Sequence, residues 1–539
     1  MFCSITSITE VRSSAEQQPI TDRCVAGIQW SSMLLLLDQT MQDPSSMSTA
    51  VTAPASSEVK PASRKVCLIG AGYAGLAAAR ELRQEGHAVT VLEQSADVGG
   101  QWLYDHDPNG HSSIYASLRV LSPRELMGFS GFQFLPRNSS NGGRDARRFP
   151  GHREVQRFLR DFCDASGLLD SIRFRTRVLR VSSMTMAPPR HGQEEPPKWV
   201  VKAEDQAAGV VEEEVFDAVV VATGHYSHPR LPRIDGMAEW GRRQLHSHWY
   251  RVPEPFRGET VVIVGSGDSG RDIALDILAV AKEVHIAAKS TEAAATMAMR
   301  KTLARHPHLH LHPQVRRLCA DGQVVFSGAG GEEDSVVVLA DSVVYCTGYR
   351  YSFPFLDADH QIAVDEEGGA VAPLFEHTFP PSMAPWLSFV GVPRKVPVPW
   401  FFEAQGRWIA RALSGRTPLP PEPEMTRRVQ ERRRAMELQG VPVDRAYHLQ
   451  PQEVLEFWEK YCGDLPPVEE WKSELMEAVS RDFEDDMETF RDRADDDDSL
   501  SENVRMGLQR WYGLSAQAHQ DQDLGGGGAA APGTTADQL

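Results

Sequence analysis

The stretch Lys65–Trp102, KVCLIGAGYAGLAAARELRQEGHAVTVLEQSADVGGQW, decides the fold. An apolar run Val66–Ile69 enters Gly70-Ala71-Gly72-Tyr73-Ala74-Gly75, Leu76 to Leu82 follow, and a second run Val89–Leu92 ends at Glu93. This order predicts strand, tight turn, helix, strand. Glycine is needed where the chain bends sharply and where a side chain would hold the backbone away from a pyrophosphate docked on the helix N-terminus. Glu93 lies 23 residues after Gly70, where a carboxylate ending the second strand accepts hydrogen bonds from a ribose diol. A lone GxGxxG marks any glycine-rich turn, but strand, helix and distal carboxylate together specify a dinucleotide fold.

A second unit opens at Thr260. Val261–Val264 read as a buried strand, Gly265-Ser266-Gly267-Asp268-Ser269-Gly270 as the turn, Arg271 to Ala281 as a helix and Val284–Ala287 as the next strand. Where the first unit ends in Glu93, this one ends in Lys289 and Ser290, 24 and 25 residues after Gly265. A carboxylate there would repel a 2′-phosphate, while a cation and a hydroxyl would hold one, so NADP is expected over NAD. The plain alternative is a solvated lysine. The strand Phe216–Val221 runs into Ala222-Thr223-Gly224, and Ser342–Tyr345 into Cys346-Thr347-Gly348. That echo suggests a duplication, and Leu387–Gly391 returns the chain to the first unit.

The expected architecture is therefore α/β, with two Rossmann-like dinucleotide-binding domains, the second inserted in the first, and a helical C-terminal extension. The expected bounds are 65–240 and 349–425 for the first domain, 241–348 for the second and 426–515 for the acidic extension. Tyr104 to Pro150 is too long for a simple connection and reads as a functional excursion over the first nucleotide. A helix follows Pro150, with apolar Val155, Phe158, Leu159 and Phe162 on one face, and another spans Phe402–Leu413, stopped at Gly415. Residues 1–64, rich in Ser, Thr, Pro and Gln, read as disordered, and 516–539 as a flexible tail. Glu10, Glu16, Asp22 and Asp38 weaken an organelle presequence, and Met47 is an alternative start.

The net charge of -18 disfavours nucleic acid as a partner, because a phosphate backbone is bound through a basic surface. Ten acidic residues against three arginines between Arg481 and Leu500 read as a solvated helix or tail rather than part of a site. The sequence holds no apolar run long enough to span a membrane. Seven cysteines without CxxC or Cys/His metal spacing suggest reduced thiols in the cytoplasm, and argue against a dithiol reductase.

With these residues in place, the chain resembles the flavin-containing monooxygenases, class B flavoprotein monooxygenases, and within them the plant and algal S-oxygenating branch. The likeness is carried by Glu93-x5-Gly99-Gly100-Gln101-Trp102, Ser113-Ile114-Tyr115-Ala116-Ser117-Leu118, Pro150-Gly151-His152-Arg153-Glu154-Val155 and His246-Ser247-His248-Trp249-Tyr250. It implies FAD on Gly70, Gly72, Tyr73, Ala74, Gly75, Glu93, Gly100, Gln101, Trp102, Thr223 and Gly224. It implies NADPH on Gly265 to Gly270 with Lys289 and Ser290. The resemblance further implies a C4a-hydroperoxyflavin that passes one oxygen of O2 to a soft sulfur or nitrogen nucleophile of a small molecule. His246 and Tyr250 fit the family fingerprint between the two folds, with Trp240 as its aromatic and Arg242 where the family has glycine. Read without the family, His246 and His248 are candidate metal ligands, but no third ligand stands at suitable spacing, which leaves a structural or cofactor-contacting role. Where the family carries an asparagine before Pro-(Arg/Lys)-Glu, this chain has Leu121, followed by Ser122. Leucine donates no hydrogen bond, so an NADPH oxidase releasing hydrogen peroxide is an alternative to the monooxygenase. Baeyer–Villiger oxygenation is disfavoured by Tyr250, and a non-catalytic nucleotide sensor by the intact glycines.

Overall fold

The computed structural model describes residues 62–525 except 109, 138–142, 185–196, 329–334, 358–361, 366–367 and 494–499. The disorder expected for 1–64 falls almost wholly outside these residues.

Ten strands build two parallel sheets: β1 (Lys65–Ile69), β2 (Ala88–Leu92), β3 (Ile172–Arg173), β4 (Ala218–Val221), β5 (Arg243–His246), β6 (Thr260–Val264), β7 (Glu283–Ala288), β8 (Leu309–Pro313), β9 (Ser342–Tyr345) and β10 (Leu387–Phe389). The first sheet has the order β10-β4-β1-β2-β3, the second β8-β7-β6-β9-β5. The inner strands are apolar without alternation because helices or other sheets cover both faces; Val66 to Leu68 and Val261 to Ile263 are fully buried. β10 adds to β4 only after the second sheet is complete, so the second fold is inserted in the first.

The helices used below are α1 (Tyr73–Gln84), α2 (His152–Ala165), α3 (Asp268–Leu278), α4 (Met297–Arg305), α5 (Trp400–Ser414), α6 (Glu422–Leu438), α7 (Pro451–Tyr461), α8 (Glu470–Asp485) and α9 (Glu502–Gly525). α1 buries Ala77, Ala78 and Ala79, and their small size lets α5 cross it so closely that a Cβ on Gly406 would lie 2.7 Å from Ala78 Cα. α5 ends on Gly415 at φ 81°, the left-handed stop that glycine permits.

Two sequence readings need correction. The strand expected over Phe216–Val221 is two elements: Val210–Phe216 ends an antiparallel meander with Thr176–Ser183 and Trp199–Asp205, and the chain turns at Asp217 into β4. The Asp217 carboxylate fixes that turn by accepting from the Lys65 amide at 2.7 Å. Nor is the acidic run between Arg481 and Leu500 wholly solvated: Asp486, Met487, Phe490 and Leu500 are buried, and its acids Asp495 to Asp498 lie outside the described residues. Leu449, Val454, Phe457, Trp471, Leu475, Phe490 and Trp511 bury into the core of the first fold. Each such side chain contributes about 1.5–3 kcal/mol, against roughly 0–1 kcal/mol for an exposed ion pair, so apolar burial docks the extension. α9 runs on to Gly525, past the tail boundary expected at 516, and 526–539 lie outside the described residues. No helix among the described residues is long and apolar enough to cross a membrane.

Candidate functional site

The glycines of the two turns divide by cause. A Cβ on Gly70 would sit 2.6 Å from the Ala222 carbonyl oxygen, and one on Gly75 would sit 2.0 Å from that of Gly70. Gly265 and Gly270 meet Cys346 and Gly265 in the same way, at 2.4 and 2.0 Å. These four let strand, turn and helix close on one another. Gly72 is different: its Cβ would meet only Gly100 Cα at 3.5 Å, and a Cβ on Gly267 would meet nothing within 4 Å. Gly72 and Gly267 are the helix N-caps, and neither helix carries a side-chain cap there. Orphan N–H groups beside open space are what an anionic pyrophosphate requires. α1 has no acid in its first turn, whereas α3 begins with Asp268.

Glu93 is buried at the end of β2, and its two oxygens accept from the amides of Ala71 and Ser95, each at 2.7 Å. The carboxylate therefore shapes the glycine turn while facing the same cavity. Gly99 and Gly100 bring a second turn against Gly72, with the Trp102 amide donating to Gly99 at 3.0 Å. Gln101 donates to Ser113 and Tyr73 to the Met127 carbonyl, while Ala74 packs at Gly391. Thr223 Oγ1 is buried on the cavity wall with no hydrogen-bond partner. Its counterpart Thr347 donates to the Arg230 carbonyl at 2.5 Å. Exposed Gly224 follows at φ 70°. The open caps and the orphaned Thr223 hydroxyl fit a bound dinucleotide.

One cavity of about 1210 Å³ joins these groups, above the usual range for a drug-sized ligand. It runs from Gly70, Gly72 and Glu93 past Leu121 and Ser122 to Asp268, Ser269 and Asp272 of the second fold. Leu121 stands 39% exposed in its wall. The excursion that carries it is held by buried Arg124, which donates to the carbonyls of Asp145 and Arg147 at 2.5 and 3.0 Å, and by the Glu125–Arg148 ion pair at 2.9 Å. Of the second unit's expected residues only Asp268 and Ser269 line the cavity. Lys289 and Ser290 are exposed at the end of β7, and the Ser290 hydroxyl accepts from the Ala293 amide at 3.1 Å as a helix cap.

His246 and Tyr250 are interior. The His248 amide donates to His246 Nδ1 at 3.0 Å, so Nε2 carries the proton and donates to the Gly348 carbonyl at 3.0 Å. Burial lowers the imidazole pKa to about 4. Tyr250 donates to Asp276 at 2.5 Å, and burial, then that carboxylate, raise its pKa. His248 Nε2 binds the Gly110 carbonyl at 3.1 Å. These backbone bonds leave the two histidines structural, locking the crossover into the second fold. Arg242, standing at the fingerprint's glycine, donates to the carbonyls of Ala340 and Asp321 at 2.5 and 3.0 Å, beside Gly241, where the chain is open.

The residues missed by the sequence come from the extension. Arg491 reaches the cavity, donates twice to Asp272 at 3.1 and 3.2 Å and once to the Val120 carbonyl at 3.1 Å. Asp272 also accepts from Tyr115, whose pKa burial and this carboxylate both raise. The second fold's helix, the excursion and the extension thus meet at one carboxylate. Pro466, Val468, Lys472 and Met476 roof the same cavity. Only Tyr115 carried a signal, as part of a motif; Arg491 sits in the acidic run read as solvated, and Pro466 to Met476 just before it carry no motif.

The model of a family described as flavin-binding monooxygenase-like matches residues 63–302 and 306–455. The chain is 46% identical over 460 residues to the flavin-containing monooxygenase GS-OX-like 9 of Arabidopsis thaliana, covering 82% of this chain and 95% of that one. It is 40% identical over 464 residues to GS-OX4 of the same plant, with 84% and 95% covered. Among solved structures, S-allyl-L-cysteine S-oxygenase from Allium sativum superposes with a TM-score of 0.73 at 38% identity, covering 84% of this chain and 99% of that one.

Proposed function

The chain belongs to the flavin-containing monooxygenase family and is an FAD-dependent monooxygenase; from that premise we propose that it uses NADPH and transfers one oxygen atom of O2 to the sulfur or amine nitrogen of a small molecule. The observation that carries this reading is the cavity shared by the first glycine turn, Asp268 and Ser269 of the second, Leu121 and the extension. The sulfur preference draws support from one similar solved structure, named as an S-allyl-L-cysteine S-oxygenase.

In this reading Gly70 to Gly75, Glu93, Gly100 to Trp102, Thr223 and Gly224 hold FAD. Gly265 to Gly270 hold the NADPH pyrophosphate, and Lys289 holds its 2′-phosphate. When bound, reduced flavin supplies the activated oxygen. The chain's own task is to position and to exclude water. Pro466, Val468 and Met476 close the roof with apolar surface, and Leu121 adds to the wall. Arg491, Asp272 and Tyr115 hold the second fold's first helical turn beside the excursion. No acid/base pair or nucleophile is required of the protein.

Leu121 favours a second reading, an NADPH oxidase that releases hydrogen peroxide, because an apolar group fills the place of an amide donor. NADPH consumption, peroxide release and sulfoxide formation, measured together with a simple thioether, separate the two. Sulfoxide in step with NADPH supports the monooxygenase. Peroxide accounting for nearly all NADPH across a panel of sulfides and amines makes it an oxidase.

A further inference from the structure

The outer edge of the second sheet carries side chains that nucleotide binding does not use. β7 and β8 pair in parallel with His285 opposite His310. Side chains two apart on a strand share a face, so Glu283 and His285 on β7 lie on one face with His310 and His312 on β8. Ligand atoms of Glu283, His285 and His310 all lie within 4.8 Å of one another. The rings of His285 and His310 stack at 4.6 Å, and His312 stacks on Phe326 at 4.3 Å.

His285 is the informative member. It is 5% exposed, and its Nε2 has no hydrogen-bond partner, lying 3.6 Å from Glu283 Oε2. Its other nitrogen, Nδ1, is 2.9 Å from His312 Nε2. A proton on His285 Nδ1 donated to His312 leaves a lone pair on Nε2 directed at the carboxylate. Metal-binding imidazoles are oriented this way, one nitrogen toward the ion and the other hydrogen-bonded behind.

We propose that Glu283, His285 and His310 bind one divalent transition-metal ion of the zinc class, with His312 as the positioning residue behind His285. Two imidazole nitrogens and one carboxylate suit Zn2+, Ni2+ or Cu2+ and exclude Mg2+ and Ca2+, which take oxygen ligands. Bonds of about 2.1 Å set a tetrahedral edge of roughly 3.4 Å, shorter than the 4.8 Å span. Binding therefore draws the side chains inward, and the affinity is micromolar rather than that of a preformed structural zinc site. The ion clips edge strand β8 to β7. His285 precedes Lys289 by four residues, roughly 13 Å along the strand, so the ion sits apart from the proposed nucleotide phosphate.

The test uses the tag-free flavin-loaded enzyme, stripped with a chelator and titrated with Zn2+ and with Mg2+ by calorimetry. Wild type is expected to take up one Zn2+ and no Mg2+, with the melting temperature rising on Zn2+ addition. His310→Gln and Glu283→Gln should each weaken Zn2+ binding by about tenfold or more, and His312→Asn by about 10–100-fold, all with unchanged flavin content. Absence of saturable one-to-one binding in wild type overturns the proposal, as does binding unaffected by either ligand substitution. Should His310→Gln fail to retain flavin, Glu283→Gln decides alone, since that carboxylate lies at the half-exposed rim of the cluster.

Discussion

Gly267 and Gly270 belong to one turn but answer to different constraints. A Cβ on Gly270 would lie 2.0 Å from a backbone oxygen, and one on Gly267 would enter open space. Gly270→Ala should therefore cost stability at or beyond the roughly 1–3 kcal/mol of an overpacked core, seen as a lowered melting temperature. Gly267→Ala should melt like wild type yet raise the KM for NADPH about tenfold, because its methyl occupies the phosphate's place; an unchanged KM would remove that turn from the nucleotide site. Lys289 is exposed at the end of β7. Lys289→Glu should raise the KM for NADPH about tenfold or more relative to NADH, with little change in melting temperature; equal effects on both would leave it an ordinary surface lysine. At Leu121, the substitution Leu121→Asn restores an amide on the cavity wall. The share of NADPH ending as hydrogen peroxide should fall, and a higher share would show that the apolar wall itself prevents leakage.

At the scale of elements, the crossover around β5 is held by a neutral histidine. His246 is fully buried between a backbone donor and a backbone acceptor, with its pKa lowered to about 4. A proton on Nδ1 would break the bond from the His248 amide. The unfolded chain takes up that proton near pH 6.5 while the folded chain resists it, so stability declines as pH falls from 6.5 to about 4 and then levels, by roughly 3 kcal/mol for this group. His152, buried and likewise lowered to about 4, acts in the same direction. The melting temperature should start to drop below pH 6.5, ahead of carboxylate titration. A flat profile between pH 7 and pH 5 would contradict neutral buried imidazoles.

Across the whole molecule, the extension works as a strap. Asp485 and Asp486 pair with Lys301 and Arg305 on α4, Glu488 accepts from His306 at 2.8 Å, and Asp492 pairs with Arg119 at 2.8 Å. The Arg305 hydrogen bonds hold the Asp486 carboxyl below the usual range. Apolar burial supplies most of the docking energy, and the ion pairs set where the segment lies. Arg491→Ala removes the charged hydrogen bonds to Asp272, worth about 1.5–3 kcal/mol, and opens one side of the cavity. Substrate-free NADPH oxidation should rise, and the extension should be cleaved faster in limited proteolysis, with flavin content unchanged. Unaltered peroxide release would leave Arg491 a surface clamp only.

Both glycine turns, the strands around them, the insertion of one fold in the other and the stop at Gly415 were legible in the sequence. Each rests on short-range rules: an apolar run of strand length, a glycine where a Cβ would collide, and a glycine stop after an apolar helical face. The sequence misled where charge stood for exposure. Asp485 to Asp492 look like a solvated run, yet Asp486 and Phe490 within it are buried. Nor could it separate Gly267 from Gly270, show which backbone groups His246 bonds, or bring Glu283 and His285 to His310. Those outcomes depend on strand register and helix docking between segments up to hundreds of residues apart. Local propensity carries the elements, and only the packed structure decides which of their side chains meet.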